Sequence, residues 1–133
     1  MHEALSYFEA YKKFLQDTNC EVMGVETRYY HPAWWYAGTI DRLVKLNGQL
    51  SILDIKTGIP IPATALQIGG YAELYRHWHG VMPKGHVLYL QKDGSYKLKE
   101  IERIPEQANT FLSALSVHYW KQSNNIKEVN EHE

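Results

Sequence analysis

Cysteine is nearly absent. Cys20 is the only one in 133 residues, which excludes a disulfide framework and a cysteine-built metal cluster within the chain. A reducing, cytoplasmic setting is the expectation that follows. Long apolar runs are lacking too. None approaches the ~20 residues that a membrane helix needs, and the opening MHEALSYFEA has no continuous apolar segment, so neither a leader nor a membrane partner is expected. Charge of one sign is missing: 14 Lys and Arg stand against 15 Asp and Glu, for a formal net charge of −1. Any polyanion partner would have to be held by a local patch, since the overall field does not favour one. There is no internal repeat and no low-complexity run.

What is present is enough for one folded unit. The chain is 44% hydrophobic and 13% aromatic, a globular composition. Residues 1–121 read as a single domain and 122–133 as a polar, flexible tail. Leu5, Phe8, Tyr11 and Leu15 recur at helical spacing over 3–17. Strand patterns follow at 21–30, 36–46 and 49–57, then a helix over 63–79, strands at 86–90 and 96–101, and a helix over 105–121 opened by Pro105. That order predicts an α/β (α+β) fold with one mixed five-stranded sheet flanked by helices.

Asn47-Gly48 is a strong hairpin signal, because both central residues of the tight turn need positive φ. With these as the two loop residues, Leu46 pairs with Gln49, Leu43 with Ile52, and Asp41 with Asp54. Two carboxylates then face each other, with Lys56 one step further on the same strand face. Like charges directly opposite destabilise a sheet. A lysine and a hard divalent cation with oxygen ligands would relieve them. If PAWW forms the preceding loop, His31 pairs with Tyr36, and Glu26 falls opposite Asp41 as a third acid. An isolated D-x-K is most often a solvated ion pair. Here it is embedded in the apolar strand LSILDIKTG and followed by Gln67 and Tyr71, four residues apart on one helix face.

GTIDRL (38–43), ILDIKTG (52–58) and ALQIGGYAELY (65–75) together resemble the PD-(D/E)XK nuclease superfamily, most closely its RecB-like branch of phage exonucleases. The resemblance runs from about Glu26 to Tyr75. It implies a restriction-endonuclease-like core and metal-dependent hydrolysis of DNA phosphodiesters, in phage or prophage recombination or DNA processing. Asp41 and Asp54 would bind Mg²⁺ or Mn²⁺, with the Ile55 carbonyl and Glu26 completing the protein's share. Lys56 would orient or activate water, and Gln67 and Tyr71 would position the lysine or the nucleic-acid backbone. DNA is the implied partner, with room for a homo-oligomer or a recombination partner protein. Relatives that hold an iron–sulfur cluster use four cysteines, which this chain lacks. RecB-like members also carry a helix ahead of these strands with a metal ligand in a G-T-x-x-H context. No such motif is present. A truncated chain, a degraded prophage gene product and a site completed by Glu26 stay open, and a remnant that binds DNA or a protein without cutting is the alternative function.

TRYYHPAWWY gathers five Tyr and Trp rings and His31 around one loop. They could stack on unpaired bases, but a core or oligomer-interface role is the commoner use of such residues. His31, His77, His79 and His86 read as solvated. Gly69-Gly70, inside the family motif, suggests close packing of helix on sheet beneath the site. Lys12, Lys13, Lys45, Lys84, Lys97 and Lys99 are candidates for holding phosphate.

Overall fold

The computed structural model describes residues 2–124. Its elements run α1 (His2–Thr18), β1 (Glu21–His31), β2 (Tyr36–Leu46), β3 (Gln49–Lys56), α2 (Ala63–His79), β4 (Lys84–Leu90), β5 (Tyr96–Glu100) and α3 (Ile104–Ser123). The expected α+β order is therefore the observed one, with α3 reaching two residues past the expected end. Most of the tail, 125–133, lies outside the described residues. The five strands form one sheet in sequence order. All neighbours are antiparallel except β3 and β4. A parallel pair cannot be joined by a tight turn, and α2 is the crossover between them. No helix among the described residues is long and apolar enough to cross a membrane.

Period-two alternation sorts the side chains into two layers. Ile52 on β3 and Val87 and Tyr89 on β4 face α2, where they meet Ile68 and Ala72. Leu53, Leu88 and Leu90 face the other way, onto Ala10 and Phe14 of α1. The helical spacing at 3–17 is correct, and Tyr11 and Leu15 of the expected stripe pack against the core, but the stripe is centred elsewhere. Ala10 and Phe14 are fully buried, while Leu5 and Phe8 are each 60% exposed. Both alternatives satisfy helical periodicity, and only the position of the sheet selects between them.

The Asn47-Gly48 turn has positive φ at both residues, 52° and 76°, and the β2–β3 register is the one it predicts, from Leu46↔Gln49 to Arg42↔Leu53. His31↔Tyr36 also pair as expected. The glycine pair in α2 serves a different packing from the one expected. A Cβ on Gly69 would lie 2.5 Å from the Gln107 carbonyl carbon and 2.6 Å from the Ala108 nitrogen, and one on Gly70 would lie 2.9 Å from the Phe111 ring. Gly69-Gly70 thus lets α2 approach α3, helix on helix. Helix against sheet is relieved instead at Gly85 of β4, where a Cβ would meet Ile68 at 2.5 Å.

Candidate active site

The ladder between β2 and β3 ends at Arg42↔Leu53, whereas β3 stays paired with β4 through Asp54↔Val87 and on to Lys56↔Tyr89. The sheet therefore forks at Asp41 and Asp54. Asp41 stands at the first position past the end of the ladder. Its Oδ2 accepts a hydrogen bond from the Ile55 N–H at 3.1 Å, replacing the backbone partner that the fork removes. β2 also changes sides here. Ile40 and Leu43 both belong to the α2-side core, which strict alternation forbids. Arg42, within the irregular stretch, is tied by Nε to the Tyr11 hydroxyl at 3.2 Å and by Nη1 to the Asp41 carbonyl at 2.9 Å.

Asp54 is 4% exposed. Lys56 Nζ lies 3.2 Å from its Oδ2 as an ion pair, but without hydrogen-bond alignment, so that buried oxygen has no hydrogen-bond partner. Burial first, and the nearby Asp41 carboxylate second, push the Asp54 carboxyl up to about 6, against the pull of Lys56. A buried carboxylate oxygen held only by one misaligned ammonium, beside a second carboxylate, is what a hard cation with oxygen ligands relieves. Asp41, Asp54 and the peptide carbonyl of Ile55 between Asp54 and Lys56 fit such an ion as a donor set.

From Lys56 the polar chain continues onto α2. Nζ donates to Gln67 Oε1 at 3.4 Å, and Gln67 Nε2 donates to the Tyr71 hydroxyl at 2.9 Å. The i,i+4 spacing of Gln67 and Tyr71 puts both on one helix face. Tyr71 lies across Gly38 of β2, where a Cβ would come within 2.8 Å of its ring. Burial, then the Asp54 charge, hold the Tyr71 proton on more tightly than usual.

Glu26 is placed differently. Its neighbours pair as Val25↔Arg42 and Thr27↔Ile40, so it stands at the position opposite Asp41. It adopts φ 48° and is exposed. Among the described residues no group of three His, Cys, Asp or Glu is brought together to hold a metal, so Glu26 does not join the two aspartates.

Two of the four histidines expected in solvent are buried, His31 at 3% and His86 at 7% exposed. His31 Nδ1 accepts from the Ala33 and Trp34 N–H groups at 3.3 Å each, which leaves the proton on Nε2 to donate to Glu73 Oε2 at 2.9 Å. Arg76 closes on both oxygens of Glu73 at 2.6 Å. This network fastens the β1–β2 turn to α2. Sequence reading missed it, although a glutamate amid the apolar positions of α2 was a signal. His86 shares a 2.6 Å hydrogen bond with Ser51, and burial holds it below the ordinary imidazole range. His77 lies against the His31 ring at 4.4 Å and His79 stacks on Tyr75 at 4.2 Å. The loop aromatics divide. Tyr36 is tied through its hydroxyl to the Gly70 carbonyl at 2.7 Å, whereas Tyr30 is 58% and Trp35 80% exposed.

No family model matches the chain, and no curated protein does. Solved structures do. A crystal structure described as a "putative exonuclease" from Eubacterium rectale superposes with a TM-score of 0.58 at 11% identity, covering 88% of this chain and 50% of that one. The crystal structure of SSO0001 superposes with a TM-score of 0.54 at 18% identity, covering 86% of this chain and 56% of that one. The chain thus shares an α/β fold with these proteins and spans about half the length of each.

Proposed function

We propose that this chain is a divalent-metal-dependent deoxyribonuclease domain of the PD-(D/E)XK type, acting as an exonuclease in phage or prophage DNA processing. The observation that carries this reading is the polar chain from Asp41 and Asp54 through Lys56 to Gln67 and Tyr71, in which the buried Asp54 Oδ2 has the Lys56 ammonium at 3.2 Å but no aligned hydrogen bond. A bound Mg²⁺ or Mn²⁺ would supply charge neutralisation at the phosphate and a more acidic attacking water. The protein's own groups then have distinct tasks. Asp41 holds the Ile55 amide and so fixes the strand that carries Asp54 and Lys56. Lys56 places an ammonium beside the carboxylates, where it can hold the water or a phosphate oxygen. Gln67 holds the lysine, and because the Tyr71 hydroxyl accepts from Gln67, its own proton is free for a phosphate oxygen.

The test is cleavage of linear and of circular double-stranded DNA with Mg²⁺ or Mn²⁺, wild type against Lys56→Ala. Degradation of linear DNA alone, abolished in the variant, is the expected result. Nicking of the circle would make the protein an endonuclease. The separation of Glu26 from the two aspartates favours a second reading, a nuclease-fold domain that binds DNA or a protein without cutting. Absence of cleavage by folded protein with either metal would select it.

A further inference from the structure

The α2-facing side of the sheet carries more than the catalytic candidates. Asp54 pairs with Val87 and Lys56 with Tyr89, while Val87 pairs with Lys99 and Tyr89 with Lys97. Residues directly paired share a sheet face. Two transverse rows therefore lead from the site to the sheet edge, Asp54–Val87–Lys99 and Lys56–Tyr89–Lys97. The intervening residues of β5 support this, since Tyr96 and Leu98 pack towards α1, which turns Lys97 and Lys99 the other way. At two strand spacings, Lys97 lies about 10 Å from Lys56 across the sheet, and Lys99 about 7 Å further along β5. Both lysines are exposed and neither has an ion-pair partner among the described residues.

A groove of about 370 Å³ lies on this side, lined by Pro60, Ile61, Pro62, Ala65, Tyr89 and Lys99, among others. Its wall is the segment joining Lys56 to α2, the same segment that separates the lysine from Gln67. Ile59 and Ile61 project from that wall at 83% and 56% exposure. A bare apolar wall beside unpaired cations matches the alternation of sugar and phosphate along a nucleic-acid strand. A protein partner would leave the lysines to be desolvated without an acid that the structure specifies.

We propose that this groove is where the DNA backbone enters the site, with Lys97 and Lys99 each holding a phosphate and the Ile59–Pro62 segment covering the sugar edge. The proposal rests on the nuclease reading above and adds the path of the substrate. Neither lysine touches the reacting atoms, so both are positioning residues.

The test is fluorescence-anisotropy binding of a labelled DNA duplex in EDTA over a range of salt. It compares wild type, the Lys97→Ala/Lys99→Ala double variant, and a Lys12→Ala/Lys13→Ala control on α1, which packs on the opposite sheet face and so takes these two lysines out of the candidates for holding phosphate at this site. Thermal melts establish that each is folded. The slope of log K against log salt should fall in magnitude by about 1.8 in the first variant, at about 0.9 for each phosphate no longer neutralised. It should not change in the control. An unchanged slope, or an equal fall in the control, overturns the proposal. If wild type cuts DNA and the double variant binds and cuts like it, the proposal fails while the nuclease reading stands. If wild type neither binds nor cuts DNA, both fail.

Discussion

Asp54 should destabilise the metal-free protein, and the effect can be isolated. Its carboxyl is pushed from 3.8 to about 6 by burial and by Asp41. The folded state therefore holds a proton that the unfolded chain releases, so the carboxyl's contribution is fully present at low pH and is lost as pH rises from about 4 through 6. At 1.36 kcal/mol per unit, a shift of about two units corresponds to about 3 kcal/mol at pH 8. Asp54→Asn removes that penalty. Its amide N–H, buried beside Lys56, returns about 1 kcal/mol of the gain. The net expectation is a variant more stable than wild type by about 2 kcal/mol at pH 8 in EDTA, or roughly 5–10 °C in Tm for a chain of this size. The advantage should vanish near pH 4. Excess Mg²⁺ should reverse the order, because wild type gains about 2.7 kcal/mol at 100-fold over its Kd while the variant lacks a ligand. Chemical denaturation of both proteins at pH 4, 6 and 8, with EDTA and with Mg²⁺, measures all of this. An Asn variant less stable than wild type at pH 8 in EDTA, or a difference that stays flat from pH 4 to 8, would refute the reasoning.

Three further outcomes are expected. Gly69→Ala places a methyl within 2.5–2.7 Å of α3 backbone, so urea denaturation should show a loss of about 3 kcal/mol or more, above the usual range for overpacking because backbone yields least. Gly38→Ala should cost only about 1–2 kcal/mol, since the Tyr71 ring can swing away, but the displaced hydroxyl should lower DNA cleavage at least as far as Tyr71→Phe does; equal cleavage by Gly38→Ala and wild type would dissociate Tyr71 from the reaction. His31→Ala removes the Nε2–H donor to Glu73 and the acceptor for two turn amides. A loss of about 2–3 kcal/mol is expected, read by thermal melting, with faster amide exchange confined to residues 31–36.

Several features depend on local chemistry and were legible in the chain. Asn47-Gly48 sets the β2–β3 register because its two residues, both at positive φ, form a tight two-residue hairpin turn whose twist matches the strands. The register carries the ladder as far as Arg42↔Leu53, which brings Asp41 and Asp54 to its open end without the direct pairing expected, and period-two alternation brings Lys56 to the same face as Asp54. Gln67 and Tyr71 share a helix face for the same kind of reason. Other features depend on residues far apart in the chain meeting in space. The opening of the sheet past Arg42↔Leu53, which lets the Asp41 side chain take the Ile55 amide, follows from β3 keeping β4 while it leaves β2. His31 is buried because Glu73, 42 residues away, offers it an acceptor. Gly69-Gly70 reads as a close approach in either setting, but only the placement of α3 decides that the neighbour is a helix. Periodicity names the residues that can point one way together; the packing of the layers decides what they point at.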